Sequence, residues 1–339
     1  MRVALLFGIM ESKGMPTKKL LKTNSFLVLL FVILTISFAA GCLSEKATTT
    51  TVTNSRDVAC VAISSDGSKM VYGKLIGSEI NLYLRDVSAT ATGEIALTYD
   101  SSENVCVRGG ISGTKVVFSS NKSGTHRIYS LTTDNTTSVE LVSDPAYDLL
   151  DVAFSKSGQS IVFCGIDRAK TTVSQIYMTD ADGQNLKIIT SSESLKRKPT
   201  VSADGKIVLF QKKVNEHWAL YYVDISKNDG IESKFLDQTD SNLDAFDPEF
   251  LASGAQTTSG VEEIVFIHGQ AGVSVSIERR TFAYQQSRLI RDFSNSYYFI
   301  QPSAAGTTNA LLYLQKLNSA RFYVWKTDLN GSISTQITF

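Results

Sequence analysis

The sequence predicts an all-β protein assembled from six repeated units, each with about four short antiparallel strands. The first observation is a turn glycine that recurs at intervals of 45 to 52 residues, at positions 67, 113, 158, 205, 254 and 306. The second is an aliphatic–aromatic pair about 16 residues beyond the glycine in every unit except the fifth, as in Leu82-Tyr83 and Ile176-Tyr177. The third is a short apolar strand that closes each unit. A period of this length is typical of arrays in which each repeat is one supersecondary unit.

The best-preserved copy of the unit's first half is PTVSADGKIVLF, residues 199–210. Its Asp204-Gly205 pair lies between two apolar runs, which is among the strongest short-range signals for a hairpin. Related turns precede the second strand of units one to three. The copies in units five and six are weaker, because Ser253-Gly254 is followed by an insertion and Gly306 lacks the preceding motif.

Four strands in about 45 residues, repeated six times, predict a six-bladed β-propeller of four-stranded antiparallel blades over residues 57–339. No window has a convincing helical period. A lone blade leaves both faces of its sheet uncovered, so the blades must close into a ring. The sixth unit reads as complete, which predicts closure without a swapped strand. The alternative is that residues 54–58 add a strand to blade six.

Composition excludes some functions. The chain has 339 residues, 43% of them hydrophobic, so a sizeable core is expected. Its 33 basic and 33 acidic residues balance, but residues 1–41 hold five of the basic residues and one of the acidic residues. The remainder is therefore mildly acidic, and no nucleic-acid partner is predicted, since such proteins carry a basic footprint.

The N-terminus follows the pattern of an export signal. Lys18, Lys19 and Lys22 precede an apolar stretch, residues 26–38, and three small residues, 39–41, come next. Residues 1–41 are thus a predicted signal peptide, and Met15 is a candidate for the true start. The alternative is a transmembrane helix, for which 16 residues, 26–41, are short, since a span needs about 20.

The segment Phe38–Cys42 resembles a bacterial lipobox, although Phe is less usual than Leu at its first position. This resemblance implies cleavage before Cys42 and acylation of Cys42 as the lipid attachment site. Residues 42–56 are polar and Thr-rich, and they are interpreted as a tether between the membrane and the folded body.

The repeats themselves resemble the TolB-type, WD40-like propeller repeat. The matching positions in unit four are Pro199, Ser202, Asp204, Gly205 and Phe210, and unit three matches through residues 154–163 and 176–180. The resemblance covers residues 57–339. It implies the propeller fold, and it implies either an interaction scaffold or a regulatory module of a peptidase. No hydrolase domain follows unit six in this sequence.

A search for chemistry is mostly negative, so the sequence predicts no catalytic residue, no cofactor and no metal. It contains no GxSxG elbow, no phosphate-binding loop and no dinucleotide fingerprint. Residues 180–185 look like the start of a calcium loop, but Ser191 stands where Glu is required, so a hairpin turn is favoured. Cys60 and Cys106 occupy matching positions, which leaves two alternatives, a disulfide between neighbouring blades or two packed thiols.

The repeat places one residue of each unit, just before the Pro position, near the mouth of the central channel. Asp151, Lys198 and Asp247 are therefore the candidate binding residues. The alternative is that the two carboxylates cap strand ends or pair with Lys198 and Arg197. The basic stretch 194–199 is interpreted either as a contact for an acidic partner or as a solvated loop.

These observations predict a lipid-anchored, non-catalytic scaffold that binds a protein or peptide in the cell envelope, facing the periplasm or the cell surface. Two alternatives remain: a hydrolase or lyase with its site at the channel mouth, and a propeller that binds a small ligand or glycan. The first requires carboxylates and a histidine converging on the axis. The second requires exposed aromatic residues on one face of the ring.

Overall fold

The fold is taken from a computed structural model. It describes residues 57–88, 93–105, 110–236, 243–251, 263–270, 274–281, 287–294, 299–304, 310–316, 322–332 and 334–337. The predicted signal peptide, Cys42 and the tether lie outside the described residues. Within the described ranges, no helix has the length and apolar character needed to cross a membrane.

The described residues form 25 strands and a single turn of 3-10 helix, Ile225–Lys227. The strands of the first three blades are β1 (Asp57–Ile63), β2 (Lys69–Ile76), β3 (Glu79–Asp86), β4 (Glu94–Ala96), β5 (Asn104–Val105), β6 (Ile111–Ser112), β7 (Lys115–Ser120), β8 (Arg127–Thr132), β9 (Asn135–Val142), β10 (Tyr147–Phe154), β11 (Ser160–Asp167), β12 (Ser174–Asp180) and β13 (Lys187–Ile188). The strands of the last three blades are β14 (Lys196–Val201), β15 (Ile207–Val214), β16 (His217–Asp224), β17 (Ser233–Lys234), β18 (Asp244–Phe250), β19 (Glu263–Gln270), β20 (Ser274–Thr281), β21 (Ser287–Ser294), β22 (Phe299–Ala304), β23 (Ala310–Lys316), β24 (Phe322–Asp328) and β25 (Ser334–Ile337).

These strands make six antiparallel sheets, which confirms the predicted six-bladed propeller. Five sheets have four strands in chain order. The second blade has five, because its inner edge consists of β5 and β6, which both pair with β7. The first strands of successive blades contact one another, as β10 contacts β14, β14 contacts β18, β18 contacts β22, and β22 contacts β1. The first strands therefore form the inner ring around the axis.

The core lies between blades, in six separate apolar clusters. Each cluster draws on two adjacent blades, so that the six clusters account for the six interfaces of the ring. At the interface between blades three and four, for example, Val162 and Ile176 pack with Val208 and Phe210. Burial of apolar area contributes roughly 25 cal/mol per Å², so these interfaces supply the main stabilisation of the ring.

The ring closes without exchange of a strand among the described residues, as predicted. Asp57 and Val58 belong to β1 and pair with Leu75 and Lys74 of β2, whereas residues 54–56 of the alternative lie outside the described residues. Val58 and Val61 instead pack against Leu312, Val324 and Ile337 of blade six. Within the described residues, apolar side-chain packing therefore joins the first and last blades.

The predicted Asp-Gly turn has a compact hydrogen-bond network. In unit four, the Ser202 hydroxyl donates to Asp204 Oδ1 at 2.7 Å, and the Ile207 N–H donates to Ser202 Oγ at 2.9 Å. Gly205 has φ 73°, a conformation that glycine adopts without steric cost. Ser64 and Asp66 repeat this network in unit one. The turns at Ser253-Gly254 and Gly306 fall outside the described residues.

The recurrent aromatic of each unit packs within its own blade as well as between blades. Tyr177 stacks on Phe163, directly opposite on the second strand, with ring centroids 5.5 Å apart. Tyr313 and Trp325 form the same pair in blade six, at 6.4 Å. Tyr177 also joins the cluster between blades two and three. The recurrence of this aromatic residue in the sequence therefore reflects cross-strand stacking as well as packing between blades.

We expect Ser202→Ala to lower the free energy of unfolding by about 1–2 kcal/mol, because it removes a buried hydroxyl that accepts from the Ile207 N–H and donates to the Asp204 carboxylate. Urea unfolding followed by circular dichroism measures the change. Thr136→Ala, on the exposed outer strand of blade two, is the control and should change stability by no more than about 0.5 kcal/mol. Equal effects of the two substitutions would contradict a structural role for the turn.

Candidate functional site

The three predicted site residues occupy equivalent and unusual positions in the inner ring. Asp151, Lys198 and Asp247 lie where the pairing of β10, β14 and β18 with the following strand shifts register. Their φ angles are 55°, 52° and 51°, in the left-handed region that non-glycine residues rarely occupy. They lie within the strands and not at the strand ends. Such bulges redirect side chains and are frequent next to functional sites.

The bulges bring Asp151 of blade three against two cations of blade four. The Lys198 Nζ lies 2.8 Å from Asp151 Oδ1, and the Lys198 N–H donates to Asp151 Oδ2 at 3.2 Å. The Arg197 guanidinium donates through Nη2 to Asp151 Oδ1 at 3.2 Å and through Nε to Oδ2. Both carboxylate oxygens are therefore saturated, as in the alternative in which these residues pair with one another.

Exposure differs sharply between the anion and the cations. The side chain of Asp151 is 3% exposed, whereas those of Arg197 and Lys198 are 29% and 19% exposed. Within the described part of the chain, Nη1 of Arg197 donates no hydrogen bond. An approaching group therefore meets cationic donors held in place by a buried carboxylate.

The electrostatics keep Asp151 and Arg197 charged. Burial by itself would raise the pKa of Asp151, but the charges of Lys198 and Arg197, together with their hydrogen bonds, hold that pKa well below its usual range. The charge of Asp151 in turn raises the pKa of Arg197, and Asp247 adds to the same effect. Asp247 therefore contributes to the electrostatic field at Arg197. We call Asp151, Arg197, Lys198 and Asp247 the charge cluster.

Asp247 enters the charge cluster from the opposite side of blade four. Its side chain is buried, and its N–H donates to Gln211 Oε1, on the second strand of blade four, at 2.9 Å. The structure therefore joins Asp151 and Lys198 directly and places Asp247 in the next blade. Whether these residues bind a ligand stays a prediction.

A second charged pair, which the sequence reasoning missed, crosses the inner ring. Lys156, in the turn after β10, forms an ion pair with Glu249 of β18, and the two side chains are only 7% and 2% exposed. They belong to blades three and five, which are not neighbours, so the contact passes in front of blade four. Among the described residues, no hydrogen-bond donor reaches Oε2 of Glu249. The sequence feature that could have indicated this pair is Glu249, a charged residue at a position that holds Ala153 in blade three and Thr200 in blade four.

A third buried group lies between blades three and four. The ammonium of Lys196, which is fully buried, donates to the carbonyl oxygens of Ser174 at 2.9 Å and Ser194 at 3.3 Å. Glu232 lies 3.9 Å from it and also pairs with Lys212 at 2.7 Å. Burial lowers the pKa of Lys196 to about 8, against the opposing charge of Glu232.

One arrangement looks like a hydrolytic triad but cannot act as one. Ser119 Oγ lies 3.0 Å from His126 Nδ1, and His126 Nε2 lies 3.7 Å from Glu103 Oε2. The Ser119 side chain, however, is fully buried, and its hydroxyl donates to the Leu149 carbonyl oxygen at 2.6 Å. The hydroxyl oxygen is thus inaccessible to a substrate. Nor do the described residues gather three His, Cys, Asp or Glu side chains that could hold a metal ion.

The remaining sequence candidates are structural where they are described. Asp180 accepts hydrogen bonds from the N–H groups of Asp182 at 3.1 Å and Gln184 at 2.7 Å, which confirms the predicted hairpin turn. Cys164 is buried, and burial raises its pKa to about 12, so its thiol is not reactive. Cys60 is buried as well, but Cys106 lies outside the described residues, and the proposed disulfide stays a prediction.

Comparison with known proteins places this ring in a family. The TolB beta propeller domain family matches residues 45–249, which is more than half of the chain. A comparison with curated protein sequences finds no match. The chain belongs to the TolB beta propeller domain family.

Solved structures share the fold at low sequence identity. TolB from Acinetobacter baumannii aligns with a TM-score of 0.63 and 13% identity, over 80% of this chain and 64% of that one. A putative TolB from Agrobacterium tumefaciens aligns at 0.54 and 17%, over 70% and 82%. An oligogalacturonate lyase from Vibrio parahaemolyticus aligns at 0.53 and 10%, over 86% and 82%. The chain thus spans less than two thirds of the first of these proteins, and the likeness concerns the fold alone.

We expect Asp151→Asn to lower the free energy of unfolding by about 3 kcal/mol, because it removes the counter-charge of two partly buried cations. Since the pKa of Asp151 is far below its usual range, the loss should persist from neutral pH to pH 4, as measured by denaturant unfolding. Asp148→Asn, three residues earlier and more exposed, is the matched control and should cost no more than about 0.5 kcal/mol. A loss that disappears by pH 5 would contradict the ion pairing.

The buried Lys196 predicts a change in folding stability at alkaline pH. Its pKa is about 8 in the folded chain and 10.5 ordinarily, so the unfolded chain binds more protons between these values and stability rises with pH there. Relative to Lys196→Met, the wild type should gain on the order of 1–3 kcal/mol between pH 8 and 10.5, the lower figure allowing for solvent screening. Lys206→Met, at an exposed turn, should show no such relative gain. A flat difference for Lys196→Met would show that this lysine titrates normally.

Proposed function

We propose that this protein is a lipid-anchored, non-catalytic propeller that binds a protein or peptide partner in the cell envelope, facing the periplasm or the cell surface. The single observation that carries the proposal is the charge cluster. It lies on the inner ring, its cations are partly exposed, and its geometry is fixed by a buried carboxylate. A site that is already ordered loses little conformational entropy when a partner binds.

The chemistry available at the inner ring supports binding over catalysis. The histidine and serine that approach each other are held in a buried contact, with the serine hydroxyl turned to a backbone carbonyl. The lyase among the structures of the same fold has 10% identity to this chain and carries no residue role over to it. A glycan platform is also disfavoured, because Tyr99 is the one strongly exposed aromatic side chain in the described part of the chain.

Attachment to the membrane follows from the N-terminal sequence. The predicted signal peptide ends at residue 41, and Cys42 begins the mature chain as the acylated residue. The tether, residues 42–56, then leads to blade one. More than one acyl chain is needed for stable anchoring, which matches the dual modification that the lipobox resemblance implies.

Affinity capture from membranes, after cross-linking of the anchored full-length protein, tests the proposal. Lys198→Gln removes one exposed cation of the charge cluster, and Lys206→Gln removes a cation of the exposed turn in the same blade. We expect one specific protein or peptide to be recovered equally with the wild type and Lys206→Gln. Its recovery should fall about tenfold with Lys198→Gln, which corresponds to about 1.4 kcal/mol.

The thermal unfolding of both variants is measured in parallel, so that lost recovery is not confused with lost folding. Equal recovery of the partner with the wild type and with Lys198→Gln would show that the charge cluster is not part of the binding site. If the purified protein turns over a substrate and no partner is recovered, the scaffold proposal is wrong and the protein is an enzyme.

A further inference from the structure

The charge cluster exposes its cations and buries its anions. The carboxylate of Asp151 meets four donors, since Arg197 Nη2 and Lys198 Nζ reach Oδ1, and Arg197 Nε and the Lys198 N–H reach Oδ2. A carboxylate has about four acceptor positions, so all of them are occupied. Asp247 is also buried, with 3% exposure. A basic group of a partner therefore finds no accessible carboxylate oxygen in the charge cluster.

The guanidinium of Arg197 binds Asp151 through one of its edges. A guanidinium carries five N–H donors in one plane, and pairs of them form forks that match an oxyanion. The fork of Nε and Nη2 is directed at Asp151. The outer fork, made of Nη1 and the second N–H of Nη2, meets no acceptor within the described part of the chain. Since the side chain is 29% exposed, the outer fork is accessible from solvent.

Lys198 lies on the side of the guanidinium that carries the outer fork. Its Nζ and the Nη2 of Arg197 both approach Oδ1 of Asp151, at 2.8 Å and 3.2 Å. The two cations therefore present their donors next to each other. Leu150 and Phe246 occupy the position of Arg197 in blades three and five, directly before the bulge. The inner ring thus folds with an apolar residue at this position, and the repeat does not require a cation there.

The charge balance of the cluster selects the type of oxyanion. Arg197 and Lys198 carry two positive charges, and the buried carboxylates of Asp151 and Asp247 carry two negative charges. A dianionic phosphate brings twice the charge of a carboxylate against these two fixed anions, and repulsion grows with the product of the charges. A single carboxylate binds an arginine fork through the same two parallel hydrogen bonds with less repulsion.

We propose that the partner presents a carboxylate to the outer fork of Arg197, with the ammonium of Lys198 beside it. This inference rests on the function proposed above and names the chemistry of the partner, an acidic protein segment. The carboxylate belongs to an acidic side chain or to a C-terminus, since both offer the same pair of oxygen atoms. Asp151 holds the guanidinium in place before the partner arrives, which lowers the entropic cost of binding.

Three short peptides, added to the full-length protein, test the site without knowledge of the partner. Acetylated and amidated Gly-Glu-Gly carries a side-chain carboxylate, acetylated Gly-Gly-Gly carries a terminal carboxylate, and acetylated and amidated Gly-Gln-Gly carries neither. The reporters are the NMR signals of the Arg197 Nε–H and the Lys198 backbone N–H, which both donate to Asp151. At constant ionic strength and up to about 50 mM peptide, we expect a saturable shift with at least one carboxylate peptide and none with Gly-Gln-Gly.

A conservative variant separates the fork from its charge. Arg197→Lys keeps the positive charge and removes the outer fork, so it should weaken binding of the carboxylate peptide about tenfold, followed at the Lys198 N–H. Arg168→Lys, at a more exposed site of blade three, is the matched control and should leave binding unchanged. Thermal unfolding checks the folding of both variants. If Arg197→Lys does not fold, the comparison of Gly-Glu-Gly and Gly-Gly-Gly with Gly-Gln-Gly decides the question on the wild type.

The peptide that binds identifies the source of the carboxylate. A shift with Gly-Glu-Gly alone assigns an acidic side chain, and a shift with Gly-Gly-Gly alone assigns a C-terminus. Equal responses to all three peptides, or a response to none, would overturn the proposal. A stronger response to inorganic phosphate than to either carboxylate peptide would also overturn it, because the outer fork would then select a dianion.

Repeating the affinity capture with the two carboxylate peptides present distinguishes this inference from the function on which it rests. We expect an excess of the peptide that binds to lower recovery of the partner, and Gly-Gln-Gly to leave it unchanged. A partner that is recovered equally with and without the peptides overturns the carboxylate inference and leaves the scaffold intact. Binding of a carboxylate peptide with no partner recovered supports the site and overturns the scaffold.

Discussion

The structure depends on one constraint: each four-stranded blade has two apolar faces, and only neighbouring blades can cover them. Six clusters of buried side chains meet this requirement, one at each interface, and the sixth cluster joins blade six to blade one. Removal of one blade would expose two apolar faces at once. A closed ring is therefore an arrangement in which every blade is covered, and a few hydrogen bonds between blades add to the apolar packing.

The faces of the blades are covered by apolar packing. The irregular backbone geometry and the charge cluster lie in the inner ring. The first strands converge on the axis, and three of them carry a bulge at which a charged residue has positive φ. Strain of this kind persists only when surrounding contacts impose it. Here the contacts come from adjacent blades, since Asp151 is held by Arg197 and Lys198, and the Asp247 N–H is held by Gln211. The packing of the blades thus fixes the geometry of the charge cluster.

The features that the sequence predicted are those encoded by residues close together in the chain. Ser202, Asp204 and Gly205 form one turn, so their spacing is sufficient to identify it, and its repetition identifies the blades. The pair of Tyr177 with Phe163 has counterparts in blades one, two and six for the same reason. By contrast, Lys156 and Glu249 lie 93 residues apart. Their contact depends on the curvature of the ring and on the lengths of two side chains, and no local pattern contains that information. The Asp151 bulge is intermediate, since its position follows from the repeat while its partners follow from the packing of blade four against blade three.

The buried ion pairs that join one blade to another have a physical consequence. Asp151 and Glu249 are almost fully buried and pair with cations of another blade among blades three to five, whereas the buried Lys74 pairs with Glu94 inside blade one. A buried pair adds little net stability, because desolvation offsets the Coulomb attraction, but loss of one partner costs about 3–5 kcal/mol. Apolar interfaces tolerate small rotations between blades, whereas a buried charge tolerates no arrangement in which its partner is missing. The ion pairs of blades three to five therefore fix the relative positions of these blades more strictly than apolar packing does. This half of the ring therefore offers a rigid surface with partly exposed cations.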